Sequence, residues 1–335
     1  MFVVESYPLA VVLCFLTMLC WGSWANTQKL AGKSWRFELF YWDYVFGVVI
    51  LATISAFTLG SLGEAGQGFA GNVAQADKGL IVSAILGGVV FNLANILLVA
   101  AIAIAGMSVA FPVGIGLALV VGVGVNYYSN PEGHALLLLV GVALVVAAIV
   151  LDAIAYRRLP GQSQGVSTKG LVLSLLCGIL MGFFYLLVAR TLSSGPDPKV
   201  LDPGTLSPYT AVFFFTIGIL ASNLIFNTVI MAKPFVGDPV TWADYGRGTT
   251  TQHAVGILGG MIWCVGMTLN IIAAGPATPA ISYGLGQGAT MVAAIWGVFV
   301  WREFRDATPG TNRLLALMFL CFLAGLAVII VARNL

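Results

Sequence analysis

Charged side chains are scarce in this sequence of 335 residues. Asp, Glu, Lys and Arg make up only 8% of it, whereas hydrophobic residues make up 59%. The mean hydropathy is +0.99. A soluble domain has too little interior to bury that much apolar surface, so lipid must act as the solvent for much of the chain. The composition therefore predicts an integral membrane protein and excludes a soluble globular one.

Residues that carry enzyme chemistry are equally sparse. The two histidines, His134 and His253, fall at the ends of apolar runs without metal-ligand partners nearby in the sequence. The five cysteines lie within apolar runs and have neither disulfide nor zinc spacing. There is no Walker-type phosphate loop, so pumping by ATP hydrolysis is not expected. A membrane enzyme is therefore not predicted, and neither is a cofactor or a metal.

The balance of charge excludes a further class of partner. The net charge is +2 and there are no basic blocks, so no nucleic-acid partner is expected. The first apolar run lacks a basic n-region and a clear small-residue cleavage site. We therefore interpret it as a retained helix that lies in the lipid bilayer.

Long apolar runs are what the sequence does contain. A helix needs about 20 apolar residues to cross the hydrocarbon layer of a membrane. Ten such runs lie at about 8–29, 38–60, 79–105, 107–127, 134–156, 169–191, 207–230, 252–273, 278–301 and 312–333. The predicted fold is an all-α membrane protein whose ten transmembrane helices form one transport domain.

Lysine and arginine are distributed unevenly among the connections between these helices. Ten spans place both termini on one side of the membrane, and eleven of the 15 basic residues lie in the connections on the other side. Cytoplasmic connections retain an excess of positive charge. Both termini, and the segment 61–78, are therefore predicted to be extracytoplasmic.

The two halves of the chain show the same pattern. A long apolar run meets a tight Gly/Pro turn at residues 103–116, and the pattern returns five spans later at 273–286. Because five is an odd number of spans, the halves would be inverted relative to each other, as in many secondary transporters that alternate access around a central site. We predict two inverted five-helix repeats, residues 1–160 and 161–335.

Polar side chains near the middle of the spans are the first candidates for a binding site, because an unpaired polar group is costly in lipid. The predicted substrate-binding residues are Trp21, Trp24, Asn92, Asn95, Trp263 and Gln287. Amides supply hydrogen bonds and indoles supply flat apolar faces, which together suit a small neutral polar solute. The central turns of the predicted spans hold no charged residue, which also favours a neutral solute. The alternatives are interhelical hydrogen bonding for the asparagines and an interfacial aromatic belt for the first two tryptophans.

Asp43, in the stretch YWDY, is the acidic residue placed deepest in a predicted span. A carboxylate that is buried in a membrane protein is a candidate for proton coupling. Alternatively, Asp43 pairs at the interface with one of three basic residues, Lys29, Lys33 or Arg36. The sequence leaves these alternatives open.

Seven short stretches occur in a characteristic order along almost the whole chain. They are MFVVES (1–6), WGSW (21–24), YWDY (41–44), GGVVFNLAN (87–95), NYYSNPE (126–132), YTAVFFF (209–215) and IWGVFVWREF (295–304). In these stretches the sequence resembles the ureide permease-like family of the drug/metabolite transporter superfamily. It is similar, more distantly, to the bacterial glucose/ribose porters and the rhamnose-proton symporters.

The resemblance implies a secondary importer with protons as the coupling ion. The implied solute is a ureide or nucleobase such as allantoin or uracil, with a sugar such as ribose, glucose or rhamnose as the alternative. Plant relatives carry a long insertion after the fifth span, where this chain has only the segment 157–168. The short segment favours a bacterial inner membrane protein. A non-transport membrane scaffold is a further alternative, and a homodimer is one arrangement that the sequence leaves open.

Overall fold

The computed structural model describes residues 1–333 except residues 33, 64, 161–166, 196 and 198. In this part of the chain ten helices are long and apolar enough to cross a membrane, which confirms the predicted number. We refer to them as spans 1 to 10. In chain order they are Tyr7–Ala31, Phe37–Phe57, Lys78–Ala105, Phe111–Ser129, Ala135–Arg157, Thr168–Ala189, Pro208–Ala232, Thr250–Ala277, Pro279–Val300 and Thr311–Val331.

Short helices lie in the connections. Phe69–Gln75 follows span 2, and Trp242–Gly246 follows span 7. The short helix Met107–Ala110 precedes span 4, which therefore begins four residues later than the predicted boundary. The N-terminal segment, the end of span 10 and the connections after even-numbered spans lie at one end of the bundle, which we call the terminal end. The connections after odd-numbered spans lie at the opposite end.

Two spans are interrupted beside residues that the sequence predicted for the site. Span 1 consists of helices Tyr7–Ser23 and Ala25–Ala31, with the interruption at Trp24. There the Asn26 side chain donates to the Ser23 carbonyl at 3.0 Å. Side chains that bond nearby carbonyls in this way compete with regular helix geometry. Span 9 is interrupted between helices Pro279–Gly286 and Ala289–Ile295, at Gln287.

Spans 3 and 8 occupy corresponding positions in the two halves of the bundle. Span 3 packs on spans 6 and 7, whereas span 8 packs on spans 1 and 2. Gly88 of span 3 lies so close to the Phe215 carbonyl that there is no room for a Cβ atom. Gly260 of span 8 lies equally close to the Tyr44 carbonyl. Glycine lets the backbones approach in this way because it has no side chain.

The turns that end these two spans also correspond. Gly106 follows span 3 with a φ of 77°, and Thr278 follows span 8 with a φ of 73°. This left-handed region suits glycine, whereas it is strained for a β-branched residue such as threonine. The Thr278 side chain accepts a hydrogen bond from the Ile281 backbone and so begins the next helix. The tight turns that the sequence predicted are therefore present.

Candidate functional site

Trp263 of span 8 lies at the centre of a cluster of aromatic rings from five spans. Its ring stacks on that of Trp21, with the ring centroids 6.0 Å apart. Trp21 Nε1 also donates to the Trp263 carbonyl at 3.2 Å. The rings of Phe91, Phe215 and Tyr44 surround Trp263 at centroid distances of 4.5, 6.1 and 6.3 Å. Trp21 and Trp263 therefore meet inside the bundle, an arrangement that favours a site role for Trp21 over the interfacial-belt alternative.

The predicted asparagines of span 3 form a hydrogen-bonded network next to these rings. Asn92 accepts from the Tyr41 hydroxyl at 2.8 Å and donates to the Ser222 hydroxyl at 2.9 Å. Asn95 donates to the same tyrosine hydroxyl at 3.1 Å. Asn92 thus uses both its amide oxygen and its amide nitrogen to join spans 2, 3 and 7. In this conformation it acts as an interhelical bridge, whereas Asn95 retains acceptor capacity for a ligand.

Gln287 and Trp24 lie at the two helix interruptions. The Gln287 side chain is half-buried and forms no hydrogen bond with any residue that the structure describes. The preceding Gly286 is in close contact with the Trp21 ring and with Asn270 Nδ2. Trp24 packs on Tyr44, with ring centroids 4.8 Å apart, and so extends the aromatic cluster. The interruptions therefore lie against the cluster, where an amide without a protein partner can bind a solute.

Asp43 is almost fully buried, and its partners differ from those the sequence suggested. Lys29 pairs with Glu303 at 2.6 Å, and Arg36 pairs with Glu38 at 2.7 Å. Lys33 lies outside the described residues. The Asp43 carboxylate instead contacts His253 and Tyr245. The predicted pairing with Lys29 or Arg36 is therefore wrong, because span 8 brings a histidine close to Asp43 that is distant in the sequence.

A cavity of about 540 Å³ opens at the terminal end of the bundle. Its walls come from the N-terminal segment, from the connections after spans 4 and 6, and from the ends of spans 6 and 8. The wall includes Tyr7, Glu132, Ala189, Ile271, Pro276 and Arg333. None of the seven predicted site residues lines this cavity. The cavity thus lies above the aromatic cluster and is separated from it.

A polar layer forms the separation. Tyr185, Asn270 and Ser282 lie within about one helical turn of cavity-lining residues on spans 6, 8 and 9. The Tyr185 and Ser282 hydroxyls are 2.8 Å apart, and Asn270 donates to the Ser282 carbonyl at 2.8 Å. Asn270 Oδ1 is buried and accepts no hydrogen bond from the described residues. An unpaired buried acceptor costs about 1–3 kcal/mol, so this layer is suited to bind a solute donor group.

At the opposite end, side-chain contacts join span 1 to the end of span 9 and to the residues that follow it. Trp296 Nε1 donates to Ser23 Oγ at 2.8 Å. Trp301 Nε1 donates to Asn26 Oδ1 at 2.6 Å. The ion pair of Lys29 with Glu303 lies one turn further along span 1. We call these three contacts the side-chain ladder.

Several of these residues were missed by sequence reasoning. Tyr41 and Ser222 were not singled out, although each bonds a predicted asparagine. His253 was set aside because its partner, Asp43, is distant in the sequence. Tyr185 was not predicted as a site residue. The YWDY stretch was the available signal, because it combines an acid with hydroxyl-bearing rings in one span.

A bundle that keeps polar side chains inside ten spans and opens to a cavity at one end has the architecture of a membrane transport protein. Residues 40–159 and 158–332 match the sequence model of the family described as ureide permease. The chain therefore belongs to the ureide permease family. Permeases are transporters and not enzymes, as the sequence predicted.

Two of the relatives match over the full chain, and a third matches over less than half of it. Ureide permease 1 of Arabidopsis thaliana is 23% identical over 390 residues, which cover 100% of this chain and 99% of that protein. Ureide permease 4 of the same plant is 22% identical over 407 residues, again with 100% and 99% covered. The probable ureide permease A3 of Vigna unguiculata is 28% identical over 153 residues, 44% of this chain and 41% of that protein.

A solved crystal structure shares the fold. It superposes with a TM-score of 0.61 at 16% identity, and the match covers 98% of this chain and 98% of that chain. At this identity the likeness concerns the arrangement of helices alone. It supports the ten-span architecture.

Proposed function

We propose that this protein is a secondary transporter that carries a small neutral solute of the ureide or nucleobase type by alternating access. The observation that carries the proposal is the difference between the two ends of the bundle. A cavity opens at the terminal end, whereas the side-chain ladder joins span 1 to the chain around the end of span 9 at the opposite end. A bundle of this kind exposes its interior to one side at a time.

The solute class follows from the chemistry of the interior and from the names of the relatives. The aromatic cluster and the polar layer contain amides, hydroxyls and rings, and no acid or base lies among them. A ureide has several N–H donors and carbonyl acceptors and no net charge, so it can use such groups without a countercharge. The relatives are named for ureides, which favours this class over the sugar alternative.

We place the binding region between the cavity and the aromatic cluster. Trp21, Trp24 and Trp263 provide apolar surfaces, and Asn95 and Gln287 provide amides that the described residues leave partly or wholly unpaired. Asn92 supports the region through its interhelical bridge. The interrupted spans favour this position, because secondary transporters commonly form their sites at broken helices.

The two halves, residues 1–160 and 161–335, would act as inverted repeats. The paired glycine contacts of spans 3 and 8 and the matching turns at Gly106 and Thr278 support this arrangement. Residues 161–166 at the boundary lie outside the described residues. Alternating access then consists of exchanging the conformations of the halves, so that the ladder opens when the cavity closes.

Other parts of the proposal rest on the sequence. Protons are the proposed coupling ion, with Asp43 as the carboxylate involved. The short connection 157–168 favours a bacterial inner membrane, and the distribution of basic residues favours extracytoplasmic termini. Because the relatives are plant proteins, the bacterial origin stays a prediction. The superfamily placement, the likeness to bacterial sugar porters and a homodimer stay predictions as well.

Ligand-induced stabilisation of the purified protein tests the function. Because a ligand that binds the folded state raises the apparent melting temperature by mass action, allantoin and uracil should raise it in a concentration-dependent way. Nucleosides, ribose and glucose serve as the comparison set. Stabilisation by the sugars and by none of the ureides or nucleobases would overturn the proposed solute class.

A further inference from the structure

Asp43, His253 and Tyr245 form a polar cluster at the opposite end of the bundle, where three elements meet. Asp43 belongs to span 2, His253 to span 8 and Tyr245 to the short helix Trp242–Gly246. The Tyr245 hydroxyl donates to Asp43 Oδ1 at 2.6 Å. His253 Nδ1 lies 2.9 and 3.1 Å from the two carboxylate oxygens of Asp43.

Among the described residues, His253 is the basic side chain that pairs with this buried acid. The Asp43 side chain is 1% exposed, whereas that of His253 is 26% exposed. The neighbouring bases Lys29 and Arg36 are engaged by other acids, and Arg247 pairs with Asp244. Among the described residues, the titratable groups that face Asp43 are thus His253 and Tyr245. A buried carboxylate is costly unless it is paired and hydrogen-bonded, so the state of this acid depends on the histidine.

The geometry allows one proton to change the net charge of the pair. When His253 is protonated, the positive imidazolium and the negative carboxylate have a net charge of zero. When the proton leaves, the pair carries one negative charge inside the bundle. Burial, followed by the hydrogen bond to Asp43, raises the pKa of the Tyr245 hydroxyl. Tyr245 therefore remains a neutral donor. The partial exposure of His253 gives the proton a path to the solution at this end.

The pair is also connected to the proposed binding region. Asp43 packs directly on Gly256 of span 8, where a Cβ atom would collide with the aspartate side chain. The next residue, Tyr44, packs on Trp24 and on Trp263 in the aromatic cluster. Movement of span 2 against span 8 therefore alters both the contact between Asp43 and His253 and the rings beside the solute.

We propose that Asp43 and His253 together form the proton-binding site of the transporter, in which the proton held between them links spans 2 and 8. This proposal rests on the proposed transport function and adds His253 and Tyr245 to it. A pairing of Asp43 with a lysine or an arginine would not provide such a site, because those side chains remain charged over the working pH range.

Histidine NMR tests the site without a transport measurement. The chain has two histidines, and His134 is the N-cap residue that precedes span 5 at the terminal end. A His134→Asn protein with isotope-labelled histidine therefore reports on His253 alone. We expect the ring ¹⁵N signals of His253 to shift when Asp43→Asn is added, because the imidazole loses the carboxylate that it contacts. Unchanged ring signals overturn the proposal.

Transport in proteoliposomes tests coupling. We expect His253→Asn to abolish accumulation of allantoin driven by a pH gradient while exchange of labelled for unlabelled allantoin continues, and His134→Asn to preserve both. If His253→Asn fails to fold, Tyr245→Phe replaces it and should shift the pH dependence of uptake. Accumulation that survives in His253→Asn, or a pH dependence unmoved in Tyr245→Phe, overturns the proton site. A wild-type protein that neither binds nor exchanges ureides would instead contradict the proposed function.

Discussion

The indole ring of Trp21 stacks on that of Trp263 at a centroid distance of 6.0 Å, with the two planes inclined by 14°. A hydrogen bond from Trp21 Nε1 to the Trp263 carbonyl fixes this arrangement. The pair joins span 1 to span 8 beside both helix interruptions. A stacked pair at this position is a preformed flat surface next to which a planar solute can bind.

The stack predicts that Trp263 contributes to both stability and binding. Trp263→Ala removes a large buried ring, which typically costs about 3–5 kcal/mol, and we expect a lower melting temperature and no stabilisation by allantoin. Trp263→Phe retains a ring and should fold with a melting temperature close to that of the wild type. Thermal unfolding of the three proteins in the same detergent compares them. Equal melting temperatures for the alanine variant and the wild type would contradict a central packing role.

The close glycine contacts predict equal sensitivity in the two halves. Gly88→Ala and Gly260→Ala each place a methyl group against a backbone carbonyl that cannot move away. Overpacking of this kind typically costs about 1–3 kcal/mol, and we expect both variants to lose folded yield. Gly124→Ala is the matched control, because no atom lies within 4 Å of the added Cβ position. Size-exclusion profiles and yields in detergent provide the measurement; a well-folded Gly88→Ala would show that the contact is not required.

If the side-chain ladder opens during transport, a covalent cross-link across it should stop transport. In a background without the five native cysteines, Lys29→Cys and Glu303→Cys can be joined by a reducible bifunctional cross-linker. We expect the cross-linked protein to bind allantoin from the terminal end and to transport none, and reduction to restore uptake. The single-cysteine variants, treated identically, control for labelling. Undiminished uptake by the cross-linked protein would mean that this end need not open.

Substitutions of the three predicted site amides are expected to have different effects. Asn95→Ala and Gln287→Ala should fold normally but weaken allantoin binding about tenfold, the equivalent of about 1.4 kcal/mol for one lost hydrogen bond. Asn92→Ala should lower the melting temperature, because it removes the acceptor of the Tyr41 hydroxyl and the amide that donates to Ser222. Asn126→Ala is the control, since that amide bonds only its own helix, at the Gly122 carbonyl, among the described contacts. Normal binding and transport by the Asn95 and Gln287 variants would remove both from the site.

The number of spans and the tight turns could be predicted because each depends on local composition. An apolar run long enough to cross the membrane is expected to form a helix. The turns after spans 3 and 8 follow from Gly106 and the Thr278-Pro279 pair. Trp21 and Trp263 could be singled out because aromatic rings and amides within a span are unusual, and the structure places the two rings in contact; their role in binding stays a prediction. These features require no knowledge of which helices are neighbours.

The partners of these residues could not be predicted, because they depend on helix packing. Asp43 was paired with basic residues close in the sequence, whereas span 8 places His253 beside it from a position far along the chain. The cavity was missed for the same reason: its walls come from the N-terminal segment, two connections and several span ends. None of these segments has a sequence pattern that indicates that it lines a cavity.

Uptake of labelled allantoin into proteoliposomes tests the central claim most directly. Protein reconstituted without other components should accumulate allantoin, and unlabelled uracil or allantoin should compete, whereas ribose and glucose in the same excess should not. Protein-free liposomes and the cross-linked Lys29→Cys/Glu303→Cys protein give the background. Uptake no greater than this background, or competition by the sugars and not by the ureides, would contradict a transporter of small neutral ureide-type solutes.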